Sequence, residues 1–233
     1  MAQLRLRSYH GGLGDELQFS TFAETLTNMG HEVFLLKDCP QVLPIRNPEI
    51  RHFLYAGHPF IKGELDGPWD IGDNRTYQNT QGDFIKNWEV AFDLPPVNSL
   101  PKIYYEPKRL ERITGLIELS AISLEYNRDE VAKTAMRLIR ESGMPFKQIV
   151  SGQQANNILL PLPQVRVSNL YEISDCIFSC KAFISLSSGL HSLAAAIRRK
   201  TEFEQMCLLP ANKHDAFMAS KLFIYPGVEY FAV

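Results

Sequence analysis

The sequence lacks any apolar run close to the roughly 18 residues that span a bilayer, which argues against a membrane-crossing helix. Arg5, Arg7 and His10 interrupt the first ten residues, so these form no apolar export signal, and the cytoplasm is the expected location. Neither charge sign is in excess: the formal net charge is −2, so no global basic field would draw the chain to nucleic acid or to an acidic membrane. The four cysteines, Cys39, Cys176, Cys180 and Cys207, include no CxxC pair. Cys176 and Cys180 share one face of an expected helix, but no second His or Cys pair accompanies them, and buried free thiols are expected rather than a metal site. A G-x-G-x-x-G fingerprint is missing, and Asp38 is the only acid near the end of the second expected strand, which argues against a dinucleotide-dependent oxidoreductase. No DxD motif is present, so a required divalent ion is not indicated, and no internal repeat or low-complexity tract occurs. What remains is 233 residues with 45% apolar and 21% charged content, the composition of an ordinary soluble protein of one large or two small domains.

The most informative stretch is Ser8-Tyr9-His10-Gly11-Gly12-Leu13-Gly14-Asp15-Glu16-Leu17. It follows a strand-like run, Leu4 to Arg7, and opens a helical spacing of Leu17, Phe22, Ala23, Leu26 and Met29. Gly11, Gly12 and Gly14 let backbone N–H groups approach a ligand, and a helix start favours negative charge. Asp15 repels an anion, so it reads either as a helix cap or as a base aimed at a hydroxyl. Gly30 closes the helix, and His31 to Leu36 reads as a second parallel strand, completing a right-handed βαβ unit. From Asp38 to Pro107, prolines and glycines predict mostly ordered loops, with a helical turn over Glu49 to Tyr55 and a helix over Asp83 to Phe92. Within them, Trp69, Tyr77 and Trp88 are candidates for stacking on sugar rings or for packing the loops. Arg46, Lys62, Arg75 and Lys86 are candidates for an anionic acceptor or for plain surface charge.

Leu100 to Arg109 is the expected crossing between halves, giving domains 1–107 and 108–233. Beyond it the pattern predicts strands over Gly115 to Leu124, Gln148 to Val150, Val165 to Ser168, Ala182 to Leu186 and Gln205 to Leu209. Helices are predicted over Arg128 to Ser142, Leu170 to Cys180 and Ser188 to Ile197. The alternation is that of an α/β protein with two facing Rossmann-like domains, and a ligand belongs at the carboxyl ends of the strands. Gly152-Gln153-Gln154 stands at one such end, as a nucleotide contact or a simple turn.

A second chemical segment runs from Ile184 through Ser187-Ser188-Gly189-Leu190-His191-Ser192 to Ala196. A strand again leads into small hydroxyl residues, a glycine and a helix start, which suits a diphosphate; serine capping with a satisfied His191 is the plainer alternative. Taken together, Gly11 to Leu17, Gly30-His31-Glu32-Val33 and Val167 to Ala196 resemble the two signatures of the ADP-heptose:lipopolysaccharide heptosyltransferase family. The opening glycines also resemble those of some fucosyltransferases, where an asparagine usually follows.

The heptosyltransferase resemblance implies a GT-B fold, here shortened, with Asp15 at the position of the base that deprotonates the acceptor. It implies that Ser187, Ser188, Gly189, Leu190, His191 and Ser192 form the loop that binds the donor's diphosphate and sugar. This sequence departs from the family in having Ser187 where an aspartate stands, and Ser192 at the histidine position with His191 one residue earlier. One residue on a helix turns a side chain by about 100°. The activity implied is metal-independent, inverting transfer from a nucleotide-diphosphate sugar to a glycan or lipid-linked hydroxyl. No other cofactor is expected. A catalytically silent nucleotide- or glycan-binding protein of the same fold is the alternative.

Overall fold

The structure is a computed structural model describing residues 1–7, 12–37, 48–72, 84–111, 113–121, 124–151, 157–221 and 223–233, with 72, 84, 87 and 88 described by backbone alone. Gly11, Cys39, Arg46, Arg75, Tyr77, Gly152 to Gln154 and the side chain of Trp88 lie outside the described residues.

Two parallel sheets organise the chain. The first contains β1 (Gln3–Arg7), β2 (Glu32–Leu36), β3 (Ile61–Leu65) and β4 (Ile71–Gly72), in the order β3-β2-β1-β4. Connecting helices are α1 (Leu13–Phe19), α2 (Phe22–Asn28), α3 (Pro48–Tyr55) and α4 (Phe84–Ala91). The single helix expected after the glycine turn is therefore kinked into α1 and α2. Ser20 and Thr21 mark the kink, their hydroxyls donating to the carbonyls of Leu17 and Gln18 and competing with the helical pattern. Strands β3 and β4 correct the expectation of loops between the helical turn over Glu49 to Tyr55 and the helix over Asp83 to Phe92. Their sequences, IKGEL and IG, carry no alternating apolar face, and β3 exposes Lys62, Gly63 and Glu64.

The second sheet is built from β5 (Gly115–Glu118), β6 (Phe146–Ser151), β7 (Gln164–Val167), β8 (Ala182–Leu186), β9 (Glu204–Leu209) and β10 (Val228–Ala232). Its order is β10-β9-β8-β5-β6-β7, a doubly wound sheet whose direction of winding reverses between β5 and β8. α5 (Arg128–Ser142), α6 (Leu170–Ser179), α7 (Gly189–Ile197) and α8 (Ala211–Ser220) connect these strands. Capping chemistry sets the clearest boundaries. Asn127 accepts from the N–H groups of Asp129 and Glu130 to start α5, and Gly143 ends it in the left-handed region, φ 64°. Asn169 accepts from Glu172 N–H while Glu172 accepts from Ser168 N–H, a reciprocal cap on α6.

The alternation of strands decides which face each residue serves. Leu116 and Phe183 point into one apolar cluster, which continues through Leu190 and Leu193 of α7 to Leu17 of α1 and to Leu6 and Val33 of the first sheet. Ile117, Ile184 and Leu186 point the other way, onto Val131, Ala135 and Leu138 of α5. The first cluster thus joins both sheets. Polar ties reinforce it: Tyr105 Oη and Lys108 N–H both donate to Asp175 of α6, at 2.9 and 2.7 Å, and Glu49 of α3 accepts from Leu170 N–H.

Candidate functional site: two helix starts in contact

The two glycine-containing motifs meet. α1 packs directly on α7, and at Gly189 the contact leaves no room for a Cβ. A Cβ on Gly14 would lie 3.3 Å from Ser192 Oγ and 3.7 Å from the Cα of Gly189. A Cβ on Gly189 would lie 2.7 Å from Leu13 Cβ and 3.2 Å from the Gly14 nitrogen. Both helices begin at carboxyl ends of strands, α1 after β1 and α7 after β8. Their positive ends are thereby concentrated at one place.

Asp15 sits one residue beyond this contact and is half-buried. Gly12 is the cap residue, so Asp15 is the third residue of the helix and not its cap. Its carboxylate folds back over Gly12, with Oδ2 3.0 Å from where a Cβ on Gly12 would stand. A carboxylate in a first helical turn is favoured by the helix dipole and can accept a hydrogen bond from a hydroxyl.

On the α7 side, Ser187, Ser188 and Gly189 are half-buried. The Ser187 N–H donates to Tyr126 Oη at 3.1 Å and to the Leu208 carbonyl at 3.2 Å, which fixes the loop before the helix. Ser188 occupies the cap position, yet its side chain makes no capping bond, and its buried Oγ has no hydrogen-bond partner among the described residues. The backbone start of α7 and this hydroxyl are what the loop offers an anion.

Leu190, His191 and Ser192 point their side chains inward. Leu190 belongs to the shared core. Ser192 Oγ lies 2.8 Å from Tyr225 Oη. His191 is fully enclosed, and its nitrogens are taken. Nε2 lies 3.1 Å from the Phe223 carbonyl, which only accepts, so Nε2 carries the hydrogen and Nδ1 accepts from Gln205 Nε2 at 3.0 Å. The plainer sequence reading of His191, a satisfied helix residue, describes this geometry. Its ring is turned onto Gln205, Phe223 and Tyr230.

Burial lowers the His191 imidazole to about 4 and the His58 imidazole likewise to about 4. Burial raises the Glu118 carboxyl to about 7. The two histidines are neutral in the fold but gain protons on unfolding below the ordinary 6.5, so their stabilisation is lost as pH falls from 6.5 toward 4. For His191 alone the loss is about 3 kcal/mol. Glu118 acts in the opposite sense, because the fold binds its proton first; it adds stability as pH falls from 7 to 4.5. Urea unfolding followed from pH 7 to 4.5 is expected to show falling stability, and a steeper fall in Glu118→Gln.

Several residues at the junction carried no motif. Phe223 places a ring carbon 3.3 Å from a Cβ position on Gly14, and Tyr225 braces Ser192. Glu118 had one signal, a lone acid inside the apolar run Gly115 to Leu119. Among the other candidates, Trp69 lies under the Arg7 guanidinium at 5.6 Å, a packing role in the fold. Lys62 lines a cavity of about 380 Å³ with Arg51, His52 and Glu64, on the flank between α3 and β3 and away from the helix contact. Cys176, Cys180 and Cys207 are buried free thiols, as expected. Among the described residues, no helix is long and apolar enough to cross a membrane.

No family model matches the chain, and no curated protein sequence matches it. Solved structures do. The chain aligns with the iron-containing dodecameric glycosyltransferase TibC of enterotoxigenic E. coli at a TM-score of 0.63 and 15% identity, over 88% of this chain and 57% of TibC. It aligns with a family 9 glycosyl transferase of Veillonella parvula at 0.59 and 10% identity, covering 97% and 90% of the two chains. With the E. coli ADP-heptose lipopolysaccharide heptosyltransferase II the values are 0.57 and 13%, covering 99% and 90%. The chain therefore spans a little over half the length of TibC. At these identities the likeness establishes the fold: α/β, Rossmann-like and of the heptosyltransferase type, as the two sequence signatures implied.

Proposed function

We propose that the chain is a glycosyltransferase that moves a sugar from a nucleotide-diphosphate sugar to a hydroxyl of a glycan or lipid-linked acceptor. The observation that carries this reading is the contact of Gly14, the residue before Asp15, with Gly189, the first residue of α7. One element offers positive backbone potential for a diphosphate, and the other offers a carboxylate for a hydroxyl. In the reaction, the acceptor oxygen attacks the anomeric carbon while Asp15 takes its proton. The bond to the diphosphate breaks, and the N–H groups opening α7 and the Ser188 hydroxyl receive the charge that builds on the leaving oxygen. A single displacement of this kind inverts the anomeric centre. We read it as needing no divalent ion and no cofactor beyond the donor itself.

A second reading, a silent nucleotide-binding protein, is favoured by Ser187 in place of an acid and by the enclosure of His191. Both readings require nucleotide binding at α7. The test is thermal unfolding against ADP, UDP, GDP, CDP and their sugar conjugates, with wild type and Ser188→Trp. A ligand at 100 times its Kd adds about 2.7 kcal/mol, or about 5–10 °C for a chain of this size. Such a rise with one nucleotide, absent in Ser188→Trp, is the expected result. No rise with any of them overturns both readings.

A further inference from the structure

At the point where the second sheet reverses its winding, three buried oxygens have no hydrogen-bond partner among the described residues: Glu118 Oε2, Ser185 Oγ and Ser188 Oγ. Glu118 and Ser185 are paired residues of adjacent parallel strands, so their side chains share one face, and Cys207 continues the row on β9. Ser185 is three residues before Ser188. Glu118 is 1% exposed and Ser185 fully buried. One Glu118 oxygen accepts from Ser120 Oγ, and the other is unmet. Tyr126, whose hydroxyl accepts from Ser187 N–H, fixes the loop that leads from Ser185 to α7.

An ionised carboxylate so placed has burial against it and only Ser120 bonding to it. Cys207, two strands along the same row, and Tyr126, at the loop before α7, are both held neutral by burial. Ser188, the cap of α7, stands three residues after Ser185, the strand partner of Glu118, and the start of α7 supplies positive backbone potential there. An anion seated there cancels that potential and adds a like charge close by, and a carboxylate answers a like charge by taking a proton.

We propose that Glu118 is the proton-carrying residue of the nucleotide site, binding one proton from solvent when a nucleoside diphosphate occupies the start of α7 and releasing it when the nucleotide leaves. This rests on the nucleotide-binding reading above. The bound form presents a neutral carboxylic acid next to the diphosphate. Binding therefore strengthens as pH falls toward neutrality, and a transferase that has released its sugar would hold its nucleotide product more weakly at alkaline pH.

The experiment is calorimetry of ADP binding, with UDP, GDP and CDP as further probes, in two buffers of different ionisation enthalpy at each pH. The difference between buffers counts protons taken up. Near pH 8 wild type is expected to take up about 0.4–0.8 proton more than Glu118→Gln, and near pH 5.5 the two should agree, because the acid is protonated with or without ligand. Ser120→Ala provides a second variant that keeps the carboxyl. It loses the hydrogen bond that favours the charged form, so its uptake window moves to higher pH. A nucleotide that binds wild type with the same proton count as Glu118→Gln at pH 8 overturns this proposal and leaves the transferase reading standing. Failure of every nucleotide to bind wild type overturns both.

Discussion

Asp15→Asn is expected to lower sugar transfer by about 10²–10⁴-fold while nucleotide affinity stays within a few-fold of wild type, the contribution of a positioned general base. The substitution keeps the shape of the side chain that lies over Gly12 and removes its basicity. The helix-dipole part of its structural cost is small. An acid in the first turn of a helix is worth about 0.3–1 kcal/mol. That amount shifts unfolding by only about 1–4 °C in a chain of this size, and a folded enzyme does not lose a hundredfold in rate from it. Stability and catalysis are therefore separable in one variant. Single-turnover assays with the nucleotide sugar identified by the binding screen, beside calorimetry of the nucleotide, give both numbers. Equal loss of rate and affinity would make Asp15 a binding residue. An unchanged rate would place the base elsewhere, and a wild type that binds but never turns over would favour the silent protein.

The residues that sequence reading located best are those whose local chemistry is sufficient by itself. α5 was legible to the residue because Asn127, Gly143 and the Val131-Ala135-Leu138 face each act within one helix. The helix starts at Leu13 and Gly189 were legible for the same reason. What escaped depends on partners distant in the chain. β3 and β4 are strands because β2 and β1 pair with them, not because of their own pattern. β10, with exposed Glu229, is held by five residues of β9. α8 buries no residue and shows almost no apolar face, so periodicity had nothing to report. The inward turn of His191 follows from Gln205 and Phe223, which lie 14 and 32 residues further on. The contact between Gly14 and Gly189 is of this second kind as well. Each glycine could be read as part of a turn, but their need for one another belongs to the packing of two helices.

That need gives the other large effect. Gly189→Ala is expected to destabilise the protein by about 1–3 kcal/mol, the cost of overpacking a close contact, which lowers the unfolding temperature by about 2–12 °C. Conformation is not the reason, since Gly189 is an ordinary helical residue and its φ is not positive. The cost is steric. The new methyl would stand 2.7 Å from Leu13 Cβ, an atom fixed to the backbone of α1, and 3.2 Å from the Gly14 nitrogen. No rotation of the Leu13 side chain relieves the first of these contacts, so α1 must move away from α7. Gly14→Ala is the comparison that isolates the cause: its methyl would meet Phe223 and Ser192 side-chain atoms at 3.3 Å, groups that can give by a few tenths of an ångström. It should therefore cost less than Gly189→Ala, although both add one methyl at the same junction. Thermal or urea unfolding of the two variants reads the ranking, and a Gly14→Ala variant less stable than Gly189→Ala would contradict it. The functional consequence separates along the same line. Moving α1 carries Asp15 away from the start of α7, while the α7 loop keeps its ties to Tyr126 and Leu208. Gly189→Ala, assayed below its unfolding temperature, should thus lose transfer more than it loses nucleotide binding.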